Sequence, residues 1–271
     1  KLKEAEALDE AMKQLEDQVN QDDQISNSSP FINEDSDKQK TYNDKIQAAK
    51  EIINQTSNPT LDKQKIADTL QNIKDAVNNL HGDQKLQKAQ QDATNELNYL
   101  TNLNNSQRQS EHDEINSAPS RTEVSNDLNH AKALNEAMRQ LENEVALENS
   151  VKKLSDFINE DEAAQNEYSN ALQKAKDIIN GVPSSTLDKA TIEDALLELQ
   201  NARESLHGEQ KLQEAKNQAV AEIDNLQALN PGQVLAEKTL VNQASTKPEV
   251  QEALQKAKEL NEAMKALKTE D

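Results

Sequence analysis

The sequence predicts an all-α fold: tandem three-helix bundles joined by long shared helices into an elongated rod. Three observations carry that expectation. Apolar residues recur at helical spacing along the chain. Gly (4) and Pro (6) are scarce in 271 residues, so few places exist to turn, which favours long helices over strands and hairpins. The same punctuation also returns with one fixed period, the mark of a repeat protein.

The period is 126 residues and needs no gap. Phe31-Ile32-Asn33-Glu34-Asp35 recurs as Phe157-Ile158-Asn159-Glu160-Asp161, and Thr60-Leu61-Asp62-Lys63 as Thr186-Leu187-Asp188-Lys189. Leu80-His81-Gly82 recurs as Leu206-His207-Gly208, and Gln84-Lys85-Leu86-Gln87 as Gln210-Lys211-Leu212-Gln213. Glu10-Ala11-Met12 appears three times, again at Glu136-Ala137-Met138 and Glu262-Ala263-Met264. The chain therefore reads as the tail of one unit followed by two whole ones, a piece of a longer array.

Each unit divides further. Asn159 with Glu162 is a capping-box pattern, and Thr186 or Asp188 can cap the next helix. Val182-Pro183-Ser184-Ser185 makes the corner between them. Asn230-Pro231 reads as cap plus first-turn proline, and Thr246 with Pro248 and Glu249 opens the last helix. These marks predict one bundle from helices near 142–158, 160–180 and 187–206, and another from 209–227, 232–244 and 247–268. The expected domains are 1–19 (last helix of a preceding module), 20–82, 83–141, 142–208 and 209–271.

The core stripes follow from the spacing. Val151, Leu154 and Phe157/Ile158 form one expected face, with Tyr168, Leu172, Ala175 and Ile178/Ile179, then Ile192, Leu196, Leu199 and Leu206, on the other two. In the other bundle the stripes are Leu212, Ala215, Ala219, Ile223 and Leu226; Leu235, Leu240, Val241 and Ala244; and Val250, Leu254, Ala257, Leu260 and Met264. Between Arg121 and Asn180 there is no Gly or Pro. One uninterrupted helix of about 36 residues, roughly 54 Å long, is expected to pass from one bundle into the next. Gly82 and Gly208 are expected as C-caps or tolerated kinks.

Composition excludes several function classes. A formal net charge of −20 argues against nucleic acid, which demands a basic face, and against an anionic membrane surface. No segment has the apolar length of a membrane span. There is no cysteine, hence no disulfide framework.

The candidate sites read as structural. His81, His112, His130 and His207 lack the converging ligands a metal requires, and His81 and His207 are placed at helix C-termini, where a cation suits the last carbonyls. Glu34/Asp35 and Glu160/Asp161 resemble acid–base pairs, but at helix N-termini they more simply complement the dipole. Phe31/Phe157 and Tyr42/Tyr168 fall on apolar stripes and are assigned to the core. Tyr99, whose equivalent is Asn225, is the candidate exposed aromatic. No catalytic, cofactor or metal residue is assigned, and no ligand-contact residue can be named. No phosphate loop or nucleophile elbow is present, and catalytic sites rarely recur identically along an array, so the chain is expected not to be an enzyme.

The residues Tyr168, Ala171-Leu172, Ala175-Lys176, Ile178-Ile179-Asn180, Leu187-Asp188 and Ala195-Leu196 resemble a FIVAR domain. Leu206-His207-Gly208, Gln210-Lys211-Leu212, Ala215-Lys216, Leu229-Asn230 and Leu260-Asn261-Glu262-Ala263-Met264 resemble a GA module. Together they resemble the FIVAR-plus-GA repeat of giant staphylococcal extracellular matrix-binding proteins. That resemblance implies a bacterial cell-surface location, wall-associated or membrane-anchored through parts outside this stretch. It also implies adhesion to host matrix protein, fibronectin above all, and a contribution to cell-wall integrity, with cell-wall components as further partners. GA modules also imply albumin. In albumin binders a Tyr marks the corner between the first two helices; here that corner is Asn230-Pro231-Gly232 or Asn104-Asn105-Ser106, which argues against albumin. The fragment is expected to be monomeric. The alternative to an adhesin is an envelope spacer with no specific ligand.

Overall fold

A computed structural model describes residues 1–55 and 57–270. Among them every regular element is helical. The chain divides into two compact units, residues 1–101 with 107–133, and residues 102–106 with 134–271.

The first unit opens with α1 (Leu2–Val19), the short helices α2 (Asp22–Ser26) and α3 (Ser29–Ile32), then α4 (Ser36–Ile53) and α5 (Lys63–Asn78). Leu15 of α1 meets Tyr42, Ile46 and Ala49 of α4 and Ile66, Ile73 and Ala76 of α5 in one buried cluster. Burying each of the larger side chains is worth about 1.5–3 kcal/mol. These helices are too short to be stable alone, so this seam holds them. The next helices are α6 (Gly82–Leu97), α7 (Asn105–Ser117) and α8 (Arg121–Val145), which bury Ala93 and Leu97, Ile115, and Val124 and Ala131.

The second unit continues with α9 (Glu148–Lys153), α10 (Ser155–Ile158), α11 (Glu162–Asn180), α12 (Lys189–Glu204), α13 (Gly208–Asp224), α14 (Pro231–Gln243) and α15 (Lys247–Thr269). α11 buries Tyr168, Ala171, Leu172, Ala175 and Ile178, and α12 buries Ile192, Ala195, Leu199 and Ala202. Leu212, Ala219 and Ile223 of α13 pack with Val241 and with Val250, Leu254 and Ala257 of α15.

The expected capping is largely present. The Asp188 carboxylate accepts from Ala190 N–H, and the Thr246 hydroxyl accepts from Glu249 N–H. Asn230 and Gln233 form a reciprocal capping box with Pro231 in the first turn. Gly181 closes α11 in the left-handed region at φ 70°, where a side chain would be strained, and Val182 N–H returns to Asp177 O at 2.9 Å.

Four expectations change. The helix crossing Arg121–Asn180 is not continuous: α8 has 25 residues and ends at Val145, and Leu154 breaks the remainder with an extended ψ of 147°. The expected helix over 142–158 is thus the end of α8 followed by α9 and α10. Of its proposed apolar face only Val151 is buried, while Leu154 and Ile158 are exposed. Leu235 and Leu240 point outward, 67% and 50% exposed, because Val241 and Ala244 set the inward face of α14. Asp161, not Asn159, is the N-cap of α11, and Asn159 is buried. Finally, Gly82 and Gly208 begin α6 and α13 rather than ending the helices before them.

Candidate functional site

The repeated Asn-Glu-Asp triplet lies where one bundle meets the next within each unit. In the first unit Asn33 caps the C-terminal end of α3 and is buried. Its Nδ2 donates to the Pro119 carbonyl at 3.1 Å, and its Oδ1 accepts from Arg121 N–H at 2.9 Å, so one side chain ties α3 to the start of α8. Asn159 does the same for α15, donating to Ser245 O at 3.1 Å and accepting from Lys247 N–H at 2.9 Å.

Glu34 and Glu160 hold the other contact. Glu34 Oε2 accepts from His81 N–H at 2.6 Å and Oε1 from Asp35 N–H at 2.8 Å, and Lys85 Nζ donates to the same carboxylate. Glu160 repeats this with His207 N–H, Asp161 N–H and Lys211. Asp35 and Asp161 share those lysines at 2.6 Å and add Arg121 at 3.1 Å or Lys247 at 3.3 Å. Each buried carboxylate thus caps the N-terminus of the neighbouring bundle's first helix, where partial positive charge favours an anion.

The electrostatics follow. Burial alone would push the Glu34 carboxyl up, but the Lys85 hydrogen bond and the His81 and Asp35 N–H groups outweigh it and hold the pKa at about 2. Glu160 is lowered too, with burial opposing and Lys211, His207 N–H and Asp161 N–H prevailing. Asp35 and Asp161 are lowered chiefly by Lys85 and Lys211.

The glycines permit this approach. A Cβ on Gly82 would lie 2.4 Å from the Pro30 carbonyl oxygen and 2.5 Å from that of Ser29. On Gly208 it would lie 2.4 Å and 2.5 Å from the Ser155 and Asp156 carbonyl oxygens. Both are backbone atoms, so only glycine lets α3 rest on α6 and α10 on α13.

The acids were rightly placed at helix N-termini, but Glu34 and Glu160 serve the next bundle's helix rather than their own. His81 and His207 were placed at helix ends as cations; they are instead the N-cap residues of α6 and α13, contributing their backbone N–H. His130 Nδ1 lies 2.9 Å from the buried Glu111 and His112 Nδ1 lies 3.7 Å from Asp113, so the four histidines are not gathered. Among the described residues no group of three or more His, Cys, Asp or Glu could hold a metal ion. Phe31–Tyr42 and Phe157–Tyr168 stack edge-on at 5.6 and 5.9 Å over the cores. Tyr99 is exposed, at 83%. The lysines were the residues missed: Lys85 and Lys211 lay within a repeated motif, and that identity was their signal.

A chain of small all-α bundles, with the same joint built twice from the same residues, is a tandem-module repeat protein. The FIVAR domain model matches residues 11–81 and 137–207, and the GA module model matches 83–137 and 209–263. The chain belongs to the FIVAR-and-GA repeat family of staphylococcal extracellular matrix-binding proteins. It is 43% identical over 267 residues to the extracellular matrix-binding protein ebh of Staphylococcus aureus strain MRSA252, covering 98% of this chain and 2% of that protein. It is equally similar to EbhA of strain Mu3, covering 98% of this chain and 4% of the relative. The chain therefore spans only a few hundredths of the length of these relatives. The crystal structure of the EbhA 756–1003 domain from Staphylococcus aureus superimposes with a TM-score of 0.85 at 26% identity, over 91% of this chain and 98% of that one. These are matrix-binding repeat families, not enzymes.

Proposed function

We propose that this chain is a non-enzymatic repeat segment of a bacterial cell-surface adhesin. Each unit binds a host extracellular matrix protein weakly, fibronectin being the first candidate, and many units in series give avidity. The single observation that carries this is the gap-free duplication of a whole unit, joint included, in a chain whose relatives are named extracellular matrix-binding proteins. Fibronectin itself comes from the family resemblance. Attachment to the envelope is assigned to segments outside this sequence; no helix among the described residues is long and apolar enough to cross a membrane. We further propose functional modules at 20–82, 83–141, 142–208 and 209–271, with 1–19 completing a preceding module.

Surface plasmon resonance of the 271-residue chain over immobilised fibronectin tests the adhesive reading, with a head-to-tail duplicate of the chain for comparison. Binding at tens of micromolar that tightens more than twofold in the duplicate is expected. No binding by either would end it. The twice-built joints favour a second reading, an envelope spacer without a ligand, and failure of binding to fibronectin, albumin and wall glycan alike would select it. Small-angle scattering tests the elongated rod that both readings require.

A further inference from the structure

In the bundle of α6, α7 and α8 one carboxylate is buried against an imidazole. Glu111 on α7 is 3% exposed, and its Oε1 lies 2.9 Å from Nδ1 of the half-exposed His130 on α8. Protonated, His130 donates to that carboxylate and matches its charge. Neutral, it supplies a hydrogen bond at most and leaves a buried charge uncompensated. The other cations of the bundle are engaged elsewhere. Lys85 and Arg121 meet at Asp35, Lys88 pairs with Asp92, Lys132 with Glu96 and Arg139 with Glu136, while Arg108 donates to the Leu100 carbonyl. His112 lies beside Asp113, and Asp83 and Glu123 occupy the first turns of α6 and α8. Glu114 on α7 and Asp127 on α8 remain, and both act on Glu111 with like charge.

The repeat supplies the contrast. Glu237 stands for Glu111 and Lys256 for His130, with Leu240 and Ala253 in place of Glu114 and Asp127. Lys256 is exposed and turned to Glu252 at 3.5 Å, and one Glu237 oxygen has no hydrogen-bond partner among the described residues. The bundle of α13, α14 and α15 thus keeps the carboxylate but has neither the imidazole nor its like-charged neighbours. Imidazoles change charge near neutral pH, and lysines do not.

We propose that the Glu111–His130 pair makes the α6–α8 bundle a pH-responsive module, firm in mild acid where the imidazolium matches the buried carboxylate and looser as pH rises past neutral, whereas its repeat α13–α15 does not respond. The carboxyl works in the same sense as the imidazole. Burial, with Asp127 and Glu114, outweighs His130 and raises the Glu111 carboxyl above its ordinary 4.5. Its contribution to stability is therefore complete below 4.5 and is lost as pH rises through the raised value. The joint answers in the opposite sense and only in stronger acid, since Glu34 stays ionised down to about 2. Mild acid would thus firm this one module while the joints stay closed, whether or not a matrix protein binds.

Hydrogen exchange of the whole chain at about pH 5.5 and about pH 8, corrected for the intrinsic pH dependence of exchange, tests this with the repeat as internal reference. Protection across α7 and the first half of α8 is expected to fall about tenfold more than protection across α14 and α15, the worth of one unit of displacement in a folded-state pKa. His130→Lys, which installs the residue of the repeat at a half-exposed position, should remove that excess fall. Glu111→Gln, which keeps the shape and removes the charge, should remove it too. Equal falls in the two bundles of the parent overturn the proposal. An excess fall that survives His130→Lys overturns it as well, and so does a variant that lowers protection by the same factor at both pH values, because a merely structural contact would do that. If Glu111→Gln does not fold, the half-exposed His130→Lys decides alone.

Discussion

Asn33, Glu34, Asp35, His81, Gly82 and Lys85 return 126 positions later as the same residues in the same contacts, with only Pro119 and Arg121 exchanged for Ser245 and Lys247 among their partners, whereas several polar groups at the edge of the bundle interiors change theirs. Tyr42 donates its hydroxyl to Asp22 at 3.1 Å; the equivalent Tyr168 hydroxyl is buried without a partner among the described residues. Gln18 and Val77 become Glu144 and Arg203, paired at 2.6 Å. A core tolerates exchange as long as volume and pattern survive. A joint made of one buried carboxylate, one backbone N–H and one glycine has little spare geometry, and both copies keep those three parts.

The largest expected effect tests that rigidity. Gly208→Ala forces a Cβ into two backbone carbonyls and should cost about 3 kcal/mol, at the upper end for overpacking, in urea unfolding. Alanine at the exposed Gly232, whose Cβ would meet only the Asn230 side chain at 3.4 Å, should cost far less. Equal effects would erase the distinction between joint and surface.

Glu34→Ala strands the His81 N–H and leaves Lys85 with Asp35 alone, and should cost about 2 kcal/mol. The pH dependence has a definite sign. Glu34 has a folded-state pKa near 2, below its ordinary 4.5, so its stabilisation is complete above 4.5 and is lost as pH falls towards 2. Glu160 is lowered in the same sense. The gap in melting temperature between the parent and Glu34→Gln/Glu160→Gln should therefore close between pH 5 and pH 2. A gap that persists at pH 2 would show that the charges are not its source.

The smallest effect separates the two cores. Tyr42→Phe loses a hydrogen bond and should cost about 1 kcal/mol, while Tyr168→Phe removes an unpartnered buried hydroxyl and should be neutral or stabilising. Similar losses at both sites would imply that the two cores treat the phenol alike.

Much of this was legible before any coordinates. The caps at Asp188, Asn230 and Thr246, the corner at Val182-Pro183 and the helical stripes of α11, α12, α13 and α15 all follow from local chemistry. The interruption at Leu154 does not. Neither Gly nor Pro marks it; the chain bends there because Asn159 reaches Ser245 and Lys247, and Glu160 reaches His207, contacts separated by 47 to 88 residues. Local periodicity carries no trace of partners so distant. For the same reason the role of Gly208 is not legible locally: it is the proximity of α10, not its own backbone angle, that requires glycine. The outward turn of Leu235 and Leu240 is not legible because the apolar residues of α14 are spread around the helix rather than gathered on one face, which leaves no phase to read.

Native-state hydrogen exchange across α11, α12 and α13, in the parent and in Gly208→Ala, tests most directly whether the joint makes neighbouring bundles one cooperative body. The expected result is a shared protection ceiling in the parent that falls together on both sides of residue 208 in the variant. Loss of protection confined to α13, with α11 and α12 unchanged, would contradict it.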